Sequence, residues 1–176
     1  MRRAAVAVTL RDLRPEEREA AERLTLAAYG EYAAVMAPAA WAGLERAVRA
    51  ALADPGQAER VVAERGDDGT LAGSVMLYPA AADAYGGEIG PLRWPEVRLL
   101  AVAPTARGLG VGRALMDECV RRARAAGATS LGVHTSRSMR AALAMYAAMG
   151  FVRVPEHDFH PEGGEVVEAY RLPLAR

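Results

Sequence analysis

Lysine is absent from this chain, and all 22 basic residues are arginine. That excludes the nucleoside-triphosphate loop that ends on a lysine followed by Ser or Thr. Cysteine is nearly absent as well: Cys119 stands alone, so no internal disulfide can form. Net charge is missing too, because 22 acidic residues balance the basic ones. No global field is left to recruit nucleic acid or an anionic membrane. The chain has no long charge-free apolar run, and Met1-Arg2-Arg3-Ala4 opens no signal-peptide pattern. The expected compartment is the cytoplasm.

What is present is a chain of 176 residues, enough for one domain, 1–176, with a sizeable core and no covalent staples. Val6 to Leu10 reads as a first strand. Pro15 sits where a first helical turn tolerates it, with Glu16, Glu17 and Glu19 near the positive helix end and Ala21, Leu24 and Ala28 as a buried stripe. A second helix is expected from about Ala39 to Ala53, ending near Asp54-Pro55-Gly56. Arg60 to Arg65 and Thr70 to Tyr78 flank Gly66-Asp67-Asp68-Gly69, a hairpin signal. An irregular stretch rich in Ala, Gly and Pro follows from Pro79 to Pro95, of the length that often serves function. Beyond it come a strand at Val97 to Val102, a helix from about Gly110 to Ala126, a strand at Leu131 to Thr135, and a helix at Ser138 to Met149 stopped by Gly150. Strands at Phe151 to Val154 and Val166 to Leu172 complete the set. This alternation predicts a mixed α/β sheet of about seven strands with helices on both faces.

The run Arg107-Gly108-Leu109-Gly110-Val111-Gly112 carries the most information, because it joins a strand to a helix. Glycines at every second position let the backbone approach a bound anion, and the amides that open a helix attract phosphate. A dinucleotide fingerprint does not fit: position 115, three residues after Gly112, is leucine. A ligand-free glycine-rich turn remains the plain alternative.

Two flanking segments decide the context. Leu99-Leu100-Ala101-Val102-Ala103-Pro104 precedes the loop, and Met145-Tyr146-Ala147-Ala148-Met149-Gly150-Phe151 follows downstream. In order and separation they resemble two signatures of the GNAT superfamily of acyl-coenzyme A N-acyltransferases. The resemblance implies a mostly antiparallel central sheet splayed in the middle, with acetyl-coenzyme A as cosubstrate and no metal. It implies that the backbone of Leu100, Ala101 and Val102 pairs with the pantetheine arm, and that Gly108, Leu109, Gly110, Val111, Gly112 and Arg113 offer amides to the pyrophosphate, with Arg107 heading the loop. Tyr146 matches the tyrosine that protonates the departing thiolate. Glu96 stands where many relatives place the carboxylate that takes the amine proton, directly or through water, and His134 is a second candidate base. Surface arginine, core tyrosine and strand-end glutamate are the corresponding structural readings.

One position departs from the pattern: Met139 replaces the asparagine that many relatives hold seven residues before the tyrosine. The resemblance implies transfer of an acetyl group to a primary amine of a small molecule or peptide, by direct attack in a ternary complex. The competing function is a coenzyme-binding sensor or interaction module with little chemistry. Tyr29, Tyr32, Trp41, Tyr85 and Trp94 are candidate walls of the amine pocket. The segment Pro155 to Pro161, with two histidines and two carboxylates, reads as a polar loop rather than a metal site. Cys119 falls on a buried helix face and reads as packing. A homodimer is a possible assembly among similar proteins.

Overall fold

The computed structural model describes residues 7–175. In chain order the elements are β1 (Val8–Asp12), α1 (Arg18–Gly30), α2 (Pro38–Ala53), β2 (Glu59–Arg65), β3 (Leu71–Tyr78), β4 (Glu96–Val102), α3 (Val111–Ala125), β5 (Ser130–Thr135), α4 (Arg140–Met149), β6 (Val152–Arg153) and β7 (Glu168–Pro173). All seven strands join one sheet in the order β1-β2-β3-β4-β5-β7-β6. Every neighbouring pair is antiparallel except β4 and β5, which run parallel. The expected mixed, mostly antiparallel α/β sheet is therefore the one observed.

Helices cover both faces. One face carries the larger core, where Val75, Leu77 and Val97 of the sheet meet Leu115, Met116 and Cys119 of α3 and Tyr146 of α4. The other packs Met76, Tyr78 and Leu99 against Val48, Ala51 and Leu52 of α2, with Leu26 and Tyr29 of α1. The α3 stripe was legible in the sequence: Leu115, Met116, Cys119 and Ala123 are buried, while Arg113, Asp117, Arg121 and Arg124 face solvent. Burial pushes the Cys119 thiol up to about 12, so it sits in the core as an unreactive apolar group. No helix among the described residues is long and apolar enough to cross a membrane.

Some boundaries differ from the sequence reading. Val6 lies outside the described residues, and β1 begins at Val8. Pro15–Glu17 forms a short 3-10 turn before α1 rather than its first turn. Within the expected stripe Leu24 is only half buried, and Thr25 takes the interior position. The last helix starts at Arg140, because Met139 caps it and its amide donates to Ser136 O in a preceding turn. The strand expected at Phe151 to Val154 shrinks to two residues, since Pro155 opens a 3-10 turn.

The sheet parts in its middle. Between Ser74↔Ala101 and Met76↔Arg98, β3 advances two residues while β4 advances three. The extra residue is a bulge at Leu99, whose φ of 51° lies in the left-handed region. A bulge bends its strand. On the other side of β4 the parallel pairing is confined to Glu96↔Gly132 and Val97↔Val133, so Leu100, Ala101 and Val102 run on without β5.

Candidate functional site

Where β4 and β5 part, a cavity of about 560 Å³ opens on the α1 and α2 side. Tyr29 and Tyr32, Tyr85, Leu100, His134, Tyr146 and Phe159 are among the residues that line it. Tyr85, His134 and Phe159 form an aromatic corner, with Tyr85 and His134 edge to face at 4.8 Å between centroids. Of the five expected walls, Tyr29, Tyr32 and Tyr85 are in place. Trp94 is instead buried in a separate cluster with Leu92, Val154 and Ala169, and Trp41 is not on the cavity wall.

Glu96 is buried, with 1% of its surface exposed, which removes the reading of a solvated strand-end glutamate. Its Oε1 accepts a hydrogen bond from the Tyr85 hydroxyl at 2.8 Å and lies 2.5 Å from His134 Nδ1. The other imidazole nitrogen, Nε2, lies 2.9 Å from the backbone carbonyl of His157. A carbonyl oxygen only accepts, so Nε2 carries hydrogen. The Nδ1 edge of the ring thus faces Glu96 Oε1, the oxygen that also accepts from Tyr85. Glu96 itself is not on the cavity wall, whereas Tyr85 and His134 are. The sequence reading had the carboxylate take the amine proton directly or through water; here the Tyr85 and His134 side chains stand between Glu96 and the cavity.

Tyr146 reaches the same cavity from α4. Gly150, with φ of 91°, ends that helix in a left-handed cap, and Phe151 N donates back to Tyr146 O at 3.0 Å. The Phe151 ring lies 5.3 Å from the Tyr146 ring, so the glycine-phenylalanine pair fixes the phenol's position. Burial, then the nearby Tyr29 and Tyr32 phenols and Glu96, push the Tyr146 hydroxyl well above the ordinary phenol range. Burial first and Glu96 second do the same to Tyr85. Both stay protonated at neutral pH and can donate.

The glycine loop has the expected backbone. Gly108 and Gly110 take φ of 72° and 82°, and Gly110 caps α3 with no side chain on the first-turn amides. The first intrahelical bond is Ala114 N to Gly110 O, so the amides from Gly110 to Arg113 have no partner within α3. Val111 also plugs the core beneath the loop, and Gly112 admits α4 closely, 3.7 Å separating a built Cβ from Met145 Sδ. The arginines have local partners: Arg107 pairs with Glu31, and Arg113 pairs with Asp117 at 2.9 Å. Both are half to largely exposed, and such pairs exchange readily for a better anion. Met139 lines the cavity at the cap of α4, and neighbouring Ser138 hydrogen-bonds Glu165.

Sequence reasoning missed two elements. Tyr85 was expected only as a wall, not as a hydrogen-bond donor to Glu96. The His157 carbonyl is backbone, which leaves no residue-type signal. The segment Pro155 to Pro161 thus meets the site through its main chain.

A parted α/β sheet with an uncapped helix at one end and a buried acid, imidazole and phenol in its cleft is the layout of an acyltransferase. The profile of the Acetyltransferase (GNAT) family matches residues 16–151. The chain belongs to the GNAT acetyltransferase family. No curated protein matches it. Among solved structures, a GNAT-family protein from Desulfovibrio desulfuricans is 24% identical, with 96% of this chain and 100% of that one covered at a TM-score of 0.64. A GNAT-family acetyltransferase from Staphylococcus aureus Mu50 is 13% identical at a TM-score of 0.70, with coverage of 96% and 100%. A GNAT-family acetyltransferase from Brucella melitensis, solved in complex with acetyl-CoA, is 19% identical at a TM-score of 0.62, with coverage of 97% and 90%. At these identities the likeness is one of fold.

Proposed function

We propose that residues 1–176 form one cytoplasmic N-acetyltransferase domain that moves an acetyl group from acetyl-CoA to a primary amine of a small molecule or peptide, by direct attack in a ternary complex. The observation that carries this reading is convergence: the Tyr146 phenol and the Glu96–His134 pair meet one cavity where β4 leaves β5.

The residues present fit the cosubstrate. The amides of Gly108, Leu109, Gly110, Val111, Gly112 and Arg113 surround an uncapped helix start, which favours a pyrophosphate, and the guanidinium groups of Arg107 and Arg113 add charge once they leave Glu31 and Asp117. The stretch of Leu100, Ala101 and Val102, left without β5 on one side, offers a strand edge to an amide-bearing arm. The bound thioester supplies an already activated acetyl group; no metal is required for its transfer.

The protein's own groups then divide the proton work. An ammonium must lose a proton before it attacks. On this reading the Tyr85 oxygen takes that proton as its own hydrogen passes to Glu96, while His134, held by the His157 carbonyl, keeps the carboxylate oriented. Tyr146 donates to the thiolate as it leaves. Holding both reactants in line can contribute roughly 7–11 kcal/mol of the barrier, more than any one proton transfer.

The test is thiol release from acetyl-CoA over a panel of amines, paired with calorimetry of acetyl-CoA binding. Amine-dependent release supports the enzyme. Tight coenzyme binding with no release from any amine would mark the protein as a coenzyme-binding module instead.

A further inference from the structure

We propose that the acceptor is an amine that also carries a carboxylate, an amino acid being the simplest, and that Arg98 seats this carboxylate. The inference rests on the acetyltransferase reading above, because it names what that site takes. Arg98 lies two residues beyond Glu96 on β4, and the pairs Tyr78↔Glu96 and Met76↔Arg98 put both side chains on the sheet face that looks toward α1 and α2. Arg98 lines the cavity. Its Cζ sits 4.5 Å above the centre of the Tyr85 ring, and Nη1 donates to the Ala84 carbonyl. Stacking and that hydrogen bond fix the plane of the guanidinium before any ligand arrives.

Charge completes the argument. Arg107, Arg113 and Arg153 each face a carboxylate. Arg98 is half buried and faces none among the described residues. A guanidinium keeps its charge at every working pH, so a cation in a mostly apolar cavity gains from an incoming carboxylate, which the remaining N–H groups can bind as a fork. Arg46, Glu88, Glu162 and Glu165 complete the charged lining, and Glu165 is already engaged by Ser138.

Tyr85 sets the spacing. Its ring lies beneath Arg98 and its hydroxyl donates to Glu96. A carboxylate on Arg98 and an amine at that hydroxyl are thus one tyrosine ring apart. An amino acid spans this gap, while Tyr29 and Phe159 are left to meet its side chain. A lone alkylamine leaves Arg98 unpaired.

The experiment compares amino acids with their own carboxamides, as acceptors in thiol release at saturating acetyl-CoA. The expected kcat/KM favours each accepted acid by at least about 10-fold, the scale of one charge-assisted hydrogen bond. In Arg98→Met the ratio collapses to about twofold or less, with acetyl-CoA binding by calorimetry unchanged. A second readout needs no turnover: the N-acetyl amino acid should bind the wild-type protein at least about 10-fold tighter than the N-acetyl carboxamide. The wild-type ratios do not depend on the variant folding. Amine-dependent release with acid and amide treated alike overturns the carboxylate seat and leaves acetyl transfer intact. No release from any amine, with the two products bound alike, overturns both.

Discussion

Glu96 and His134 meet across the parallel β4–β5 pair, Oε1 to Nδ1 at 2.5 Å, inside a protein that exposes almost nothing of either side chain. Gly132, the β5 partner of Glu96, makes this possible. A Cβ built on Gly132 would stand 2.2 Å from Glu96 Oε2 and 2.2 Å from Trp94 Nε1. Neither of those atoms has a hydrogen-bond partner among the described residues, and both close tightly around the glycine.

Gly132→Ala therefore displaces the carboxylate while leaving the coenzyme loop untouched. The expected result is a loss of about 1–3 kcal/mol in stability, the usual cost of overpacking, and turnover lowered by about 10-fold or more. Acetyl-CoA affinity should stay within about twofold. Chemical denaturation, steady-state kinetics and calorimetry check the three. Wild-type turnover in a folded Gly132→Ala protein contradicts the role given to Glu96.

Tyr146→Phe removes the proposed proton donor and keeps the ring that packs on Phe151. Turnover should fall by about 10²–10⁴, the range for a general acid, with little change in coenzyme affinity. Because the hydroxyl is held above the ordinary phenol range, it stays protonated throughout the neutral and mildly alkaline range. The wild-type kcat should accordingly show no decline from ionisation of this group up to about pH 10. A decline that starts below that pH and disappears in the phenylalanine variant would contradict the raised hydroxyl, and unaltered turnover in the variant would contradict the donor role.

Arg107 is held by Glu31 in an exposed pair. If the pyrophosphate competes for the same guanidinium, Glu31→Gln should tighten acetyl-CoA binding by up to about fivefold, the scale of a surface ion pair. Arg107→Gln should weaken it by about 10-fold or more. Calorimetry at two salt concentrations reads both. Unchanged affinity in Arg107→Gln places this residue outside the coenzyme site.

Asp158 ties the last hairpin together. Its carboxylate accepts from Arg153 at 2.6 Å and from Ala169 N at 2.8 Å. These bonds, the Arg153 side chain first, hold its pKa down to about 2 against an ordinary 3.8. A lowered folded-state value means stability that is fully present above about pH 4 and lost as pH falls through 2. Asp158→Asn should thus lower the unfolding temperature at pH 6, with the difference shrinking below pH 4 and gone near pH 2. A pH-independent difference contradicts this linkage.

The strand–loop–helix unit and the end of α4 were legible in the sequence because backbone geometry dictates their residues. Gly108, Gly110 and Gly150 all take positive φ, and the α3 stripe repeats at helical spacing. The bulge that parts the sheet was not legible, since it falls on Leu99, a residue type with no preference for the left-handed region. Nor was the Tyr85–Glu96 bond. It bridges an aperiodic loop and a strand, and only tertiary packing brings them together. Glu96 and His134 were each named from the sequence, but as alternatives; the structure joins them in one pair.

The most direct measurement is the rate of thiol release from acetyl-CoA with a saturating amino acid acceptor, in wild type and in Glu96→Gln. The account predicts amine-dependent release by the wild-type protein and a rate lower by at least about 100-fold in the variant. Equal rates in the two proteins, or no release from wild type that binds acetyl-CoA, would contradict it.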